Sequence, residues 1–317
     1  MITTLWTCFG IALALLLVAV LTWRRQHWAM RVLGAILCLI SLPIGGLGGY
    51  LAFRWVAGQP TAISKTLARG VVYRRDVLQQ PDLAVLHIVE IDQPHRAVWS
   101  VSAPIDTADG RRCRAELATP VSQHFASTVL INANFFTPFY DNWVFDSYPH
   151  VGDSVEAIGP VVNEGVRYGR PKADWPSAWQ EADGTIGFGE LPPQARQAIS
   201  GRQWLLRAGA VALRQDDLPY PRTAIAMNAD HSKLWLVVVD GKQPGYSNGL
   251  TLGDLAGYLA KLGASEAIEL DGGGSSILVA AGEYGPTVLS RPCHTKIPGR
   301  QRPTGVFLGI SVRDEPK

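Results

Sequence analysis

Two long apolar runs open the chain, and shorter, more interrupted ones follow. Leu5 to Leu21 and Val32 to Phe53 carry no charged residue, and each is close to the ~20 apolar residues a helix needs to cross a ~30 Å hydrocarbon layer. The pattern predicts two transmembrane helices, about 4–22 and 32–53. After residue 59 the period shortens. Val71 to Tyr73, Leu83 to Ile91 and Ala97 to Val101 have the β-branched, alternating character of strands, Val121 to Ser127 reads as a short helix and Val129 to Asn132 as a further strand. Asn142 to Pro193 is rich in Trp, Gly and Pro with little periodicity, so a decorated loop region is expected there.

The strongest helical signal is Leu252 to Leu262. Thr251 and Asp254 form a capping-box-like start, Leu252, Leu255, Ala256 and Leu259 make one apolar face, and Gly263 supplies the stop. Apolar strands flank it, Leu234 to Val239 before and Ala267 to Leu270 after, with Ile277 to Ala280 beyond. Asp240 and Asp271 therefore stand at strand ends. If the two strands are parallel neighbours joined by the helix, both acids emerge on one sheet edge. The fold class is α+β: a mixed β-sheet domain with packed helices over 59–317, preceded by a two-helix membrane anchor over 1–58.

Charge sharpens this division. Arg24, Arg25, Arg31 and Arg54 are the only charged residues up to position 59, which leaves 29 − 4 = 25 basic residues against 27 acidic ones afterwards. The arginines between the runs, flanked by Trp23 and Trp28, predict a cytoplasmic loop. The chain would then be a multi-pass inner-membrane protein whose C-terminal domain is periplasmic or extracellular. A cleaved signal peptide fits less well, because no basic residue precedes the first run and no small-x-small site stands out before the arginine pair. The near-neutral remainder has no basic stripe, so no nucleic-acid partner is expected. Cys8 and Cys38 lie in the spans, and Cys113 and Cys293 are the only cysteines beyond them. An oxidising compartment permits that pair to form a disulfide, and the sequence leaves the point open.

The candidate chemistry centres on Leu270-Asp271-Gly272-Gly273-Gly274-Ser275-Ser276. Three glycines imply positive φ or a close approach to the backbone. The loop would present Ser275 and the N–H groups of Gly272, Gly273 and Gly274 to an anion beside a carboxylate, or it is a plain Gly-rich hairpin. Glu269 should share a face with Asp271 by the period-two rule, with one of the two raised in pKa if both are buried. Asn132 and Asn134 share a face by the same rule, either to meet sugar hydroxyls or to close Asx turns. No organic cofactor is indicated by the motifs. Asp141, Asn142 and Asp146 offer oxygen ligands for a divalent cation such as calcium, but without the spacing of a known loop. Trp143, Trp175 and Trp179 are either sugar-stacking platforms or half-buried core anchors.

Four segments taken in order, Ile131-Asn132-Ala133-Asn134-Phe135-Phe136, Pro221-Arg222-Thr223-Ala224, Val239-Asp240-Gly241 with Gly249-Leu250-Thr251-Leu252, and Leu270 to Ser276, resemble the phosphodiester glycosidase family from about Asn132 to Ile310. Arg302-Pro303 looks like that family's closing Arg-Pro, with Arg291-Pro292 as a second match. The chain departs from the family at Ala133 and Asn134, near which the family usually carries glycine. The resemblance implies hydrolysis of the sugar C1–O bond of a sugar-1-phosphodiester, N-acetylglucosamine-like, in the cell envelope or an exopolysaccharide. Asp271, Asp240 and Glu269 would then be the catalytic carboxylates, in keeping with carboxylate pairs in glycoside cleavage. Arg222, Thr223 and Arg302 would bind substrate, Arg222 gripping phosphate through two parallel donors. Expected partners are a sugar-phosphate or glycan substrate and the membrane. Two other functions compete: a non-catalytic carbohydrate-binding or envelope polysaccharide assembly protein on the same fold, and a phosphodiesterase that cleaves P–O.

Overall fold

The computed structural model describes the chain apart from residues 1, 24–26, 58–59, 144, 214–217 and 313–317, and apart from the side chains of 2–6 and 51–57. It divides into two compact units, Met1–Pro60 and Thr61–Lys317. The first is a helical hairpin of α1 (Ile2–Trp23) and α2 (Trp28–Ala57). Small residues let the helices approach: a Cβ on Gly34 would meet Thr22 and the Ala19 carbonyl at about 3 Å, and one on Gly48 would touch Cys8. Among the described residues Trp28–Tyr50 is the one stretch long and apolar enough to cross a membrane by length and composition; Thr7–Trp23 is a shorter apolar helix. Two spans are thus not established. Arg24 and Arg25, on which the predicted orientation rests, lie outside the described residues.

The second unit is α+β. Its spine is an eight-stranded sheet in the order Ile63–Ala68, Val71–Leu78, Ala84–Asp92, Lys233–Val239, Arg222–Met227, Glu266–Leu270, Gln203–Arg207, Ala210–Val211. All neighbours in it are antiparallel. Alternate residues of the central strands serve two cores. Leu236, Val238, Ile225, Ile268 and Leu270 pack against a second sheet that carries Trp99, Ile131, Leu278 and Leu308 and whose Leu130, Val279 and Phe307 meet α3 (Ala118–Phe125), while Trp235, Val237, Ala224 and Ala226 pack under α4 (Leu252–Lys261). Burial on both faces is why Leu234 to Val239 is apolar without alternation. The α4 boundaries hold: Thr251 accepts the Asp254 N–H at 3.0 Å, and all four residues of the expected apolar face are buried.

Two expectations change. The strands ending in Asp240 and Asp271 run parallel but are not neighbours, because Arg222–Met227 lies between them and antiparallel to both. Val239 faces Arg222 and Leu270 faces Thr223, so both acids still emerge at one sheet edge, on either side of the Arg222 end. The 142–193 region is not loop alone. Val161–Asn163, Val166–Tyr168, Ser177–Gln180, Ile186–Gly189 and Gln197–Ser200 form a five-stranded antiparallel sheet. Strands of three or four residues are too short for a period-two signal to register.

Candidate active site

The glycine loop does not close a hairpin. It carries the chain from Glu266–Leu270 in the large sheet to Leu278–Ala280 in the second sheet, where Leu278 pairs with Ile131. Gly273 has φ +64°, and a Cβ on Gly274 would sit 2.6 Å from Arg302 Nη2. A side chain at either position would break the loop or expel the guanidinium. Asn132 fastens the crossing. Its Nδ2 donates to the Asp271 carbonyl at 2.5 Å, and its Oδ1 accepts from Thr223 Oγ1 at 2.9 Å and from Ile277 N at 3.1 Å.

Fixed in this way, Asp271 opens into a cavity of about 540 Å³ together with Glu269, Asp141, Arg202, Arg222, Tyr220, Lys242, Lys296, Arg302 and the rings of Phe135 and Phe139. Five basic side chains against three carboxylates give the lining an excess of positive charge. Burial pushes the Asp271 carboxyl up to about 7; hydrogen bonds from the Ser275 hydroxyl and Gly272 N–H and the charge of Arg302 pull it down, and Glu269 pushes it further up. Arg302 reaches Ser275 Oγ at 3.4 Å, is ion-paired with Asp141 Oδ2 at 2.7 Å, donates to His294 Nδ1 at 3.2 Å and lies over the Phe139 ring at 4.4 Å. Burial, with Arg302 alongside, holds His294 down at about 4, a neutral acceptor. Glu269 takes a hydrogen bond from Gln203 at 3.0 Å and faces Arg222 Nη1 at 3.5 Å. A carboxyl poised near neutral pH in a cationic, water-accessible cleft can exchange a proton there while the cations hold an anion.

A family model for phosphodiester glycosidases matches residues 127–311. The chain belongs to the phosphodiester glycosidase family. This membership supports a hydrolase acting on sugar phosphodiesters. Among solved structures, the zebrafish N-acetylglucosamine-1-phosphodiester alpha-N-acetylglucosaminidase catalytic domain, auto-inhibited by its pro-peptide, superposes with a TM-score of 0.57 at 23% identity over 80% of this chain and 84% of that one. A hypothetical protein from Synechocystis superposes with a TM-score of 0.51 at 14% identity over 80% of this chain and 64% of that one. At such identities the likeness shows the shared fold. No curated protein matches the chain in a sequence search.

Within this member of the glycosidase family the expected residues separate into two groups. Asp271, Glu269, Arg222, Gly272, Gly273 and Arg302 line the cleft, and Ser275 is buried just behind it, within reach of Arg302. Asp240 does not line it. Its Oδ2 is engaged by His87 Nε2 and the Tyr246 hydroxyl, both at 2.9 Å, and its Oδ1 accepts Arg291 N at 2.7 Å. Thr223 is fully buried against Asn132. Asn134 turns inward, donating to the Ile158 carbonyl at 3.1 Å and accepting Ser200 N at 3.0 Å. Gly273 N–H is spent on the Pro221 carbonyl at 2.9 Å and Gly272 N–H on Asp271, so these two donors serve the protein and its carboxylate. Arg222 gives Nε to the Leu250 carbonyl at 3.1 Å and Nη2 to the Leu218 carbonyl at 3.0 Å.

Cys113 and Cys293 are not bonded to each other. Cys113 sits in the core beside Val155 and Gly305, whereas Cys293 lines the Asp271 cleft. Asp141 faces Arg302, Asn142 donates to Asp146 Oδ2 at 2.8 Å, and among the described residues no three His, Cys, Asp or Glu side chains cluster to hold a metal. Arg202, Tyr220, Lys242 and Lys296 also line the cleft and stand outside the motifs that mark it in the sequence. Lys242, two residues after Asp240, and Tyr220, two before Arg222, lay beside motifs already in view; Arg202 and Lys296 carry no local signal.

Proposed function

We propose that the Asp271 cleft hydrolyses the C1–O bond of an N-acetylglucosamine-like sugar-1-phosphodiester. The observation that carries this reading is a single carboxyl raised to about 7 within a ring of five lysines and arginines. A phosphate leaving group needs little protonation when cations take up its charge, so the carboxylate is free to act on water. Ionised Asp271 accepts a proton from a water whose oxygen bonds to C1; the C1–O electrons pass to the phosphate oxygen, which leaves as a phosphomonoester among Arg202, Lys242 and Lys296. Arg302 and Ser275 hold the carboxylate in place, and Glu269, tied to Arg222 and Gln203, shapes the field beneath the cleft. Asn132 positions the Asp271 backbone and does not contact substrate.

We place this domain in the cell envelope, in reach of an exopolysaccharide or another phosphodiester-linked glycan. In this reading the N-terminal hairpin crosses the inner membrane twice and residues 59–317 face the periplasm or the exterior. The apolar length of α2 and its close packing on α1 support the arrangement. Reporter fusions at residue 27 and at the C-terminus test it, since opposite compartments for the two sites are required.

The reaction is tested by turnover of the methyl ester of N-acetylglucosamine-1-phosphate in oxygen-labelled water, by the native chain and by Asp271→Asn. Free sugar carrying the label, released by the native chain alone, is the expected result. Label on the phosphate would mean P–O cleavage and a phosphodiesterase, and silence from both would favour a carbohydrate-binding protein.

A further inference from the structure

A further cavity in the Thr61–Lys317 unit is distinct from the one at Asp271. About 710 Å³ in volume, it is walled by Trp175, Trp204, Arg167, Lys172, Arg207 and Glu190 and shares no lining residue with the Asp271 cleft. The two are nonetheless adjoining. Phe135, in the Asp271 cleft, meets Trp175 edge to face with ring centroids 5.6 Å apart, and Arg202 of that cleft lies two residues from Trp204 of the other.

Both indoles are half-buried and braced from behind. Gly159 leaves room for Trp175, where a Cβ would come within 3.2 Å of the ring, and Gly189 lies in van der Waals range of the Trp204 ring. The Arg207 guanidinium lies 5.5 Å from the Trp204 ring centroid. Braced aromatic faces bind flat, partly apolar ligands at low entropic cost, and the volume lies in the ~300–1,000 Å³ range of small-molecule sites. Around them stand three basic groups, Arg167, Lys172 and Arg207, and two acidic ones, Asp174 and Glu190. Sugar rings fit this combination: their C–H faces stack on indole, their hydroxyls pair with charged donors and acceptors, and the surplus cation tolerates a phosphodiester in the chain.

We propose that this cavity is a second carbohydrate subsite, which holds neighbouring residues of a glycan whose sugar-1-phosphodiester occupies the Asp271 cleft. The substrate would then be an oligomer or polymer and not a small sugar phosphate. Its description as substrate rests on the reaction proposed above, whereas glycan binding by the cavity does not.

The test uses the full chain in detergent and two probes, a phosphodiester-linked N-acetylglucosamine oligomer and the methyl ester of N-acetylglucosamine-1-phosphate. Trp204→Ala should raise KM for the oligomer about tenfold with kcat unchanged, and should alter kcat/KM for the methyl ester by less than about twofold. Trp204 also packs against the core, so Arg207→Glu at the exposed rim is made as a second variant with the same expected direction. Calorimetric affinity for the oligomer is measured in an Asp271→Asn background, where turnover does not interfere, and should also fall about tenfold on adding either change. Loss of that affinity supports the subsite even if the native chain releases no sugar, in which case only the reaction fails. Unchanged oligomer KM and affinity in both folded variants, equal losses on the two probes, or no oligomer binding by the native chain would each overturn the proposal.

Discussion

Asp240 and Asp271 begin alike, each an acid followed by glycine at the end of a buried apolar strand, on the same edge of the same sheet. They end in opposite environments. Asp240 is 2% exposed, sealed by His87, Tyr246 and the backbone of Arg291. Tyr246, raised well above the usual tyrosine range by burial and the neighbouring carboxylate, remains a hydrogen-bond donor to it. Asp271 instead turns outward over a crossing between two sheets, where cations and a cavity wait. The strand end delivers an acid to the edge; the segment that follows decides its use. A loop that folds back, as 243–247 does through Gln243 and Ser247, buries the acid, and a loop that leaves for another sheet leaves it open.

That contrast breaks most easily at Asp271. Asp271→Asn should reduce kcat/KM on a sugar phosphodiester by about a thousandfold while the protein stays folded, as circular dichroism would verify. Arg302→Ala comes next, with a loss of about tenfold to a hundredfold and an upward shift of the pH limb, because the charge that draws the Asp271 carboxyl down is gone. Asp240→Asn should do the reverse of Asp271→Asn. It should cost about 1–3 kcal/mol of stability in denaturant unfolding, through the lost pairing with buried partners, and change kcat/KM far less.

Two smaller effects follow from titration and redox state. The folded pKa of Asp271 is raised to about 7 from an ordinary 3.8, so its contribution to stability is whole below about pH 4 and is lost as pH rises through 7. Asp271→Asn should therefore melt above the native chain at pH 8, with the gap closing toward pH 4. His294 has the opposite sign: depressed to about 4 from 6.5, it supports the fold above pH 6.5 and withdraws that support as pH falls toward 4, a slope that His294→Gln should flatten. The smallest effect expected is that of reductant. With Cys113 and Cys293 unpaired, dithiothreitol should leave the melting temperature unchanged.

Much of this was legible in the residues. The α4 cap and face, the strand ends and the glycine loop are local patterns with local causes, and Thr251, Leu255 and Gly273 announce them. The placement of Glu269 beside Asp271 followed from period two alone. What stayed hidden depends on long-range pairing. No local signal places Arg222–Met227 between the two acid-bearing strands, buries Asp240 against His87, 153 positions away, or brings Arg202 and Lys296 to one cavity. Asn132 and Asn134 were visible as polar residues on one face, but only the meeting of two sheets shows that their amides are consumed by backbone groups. The short strands of 161–200 escaped because each has only three or four residues, too few for an alternation to stand out.

The pH dependence of kcat/KM for the native chain on the methyl ester of N-acetylglucosamine-1-phosphate tests the central claim most directly, that ionised Asp271 activates water in a cationic cleft. The account predicts a limb that rises about tenfold per pH unit below 7 and levels above it. A profile that falls as pH passes 7 would contradict it and make Asp271 a proton donor.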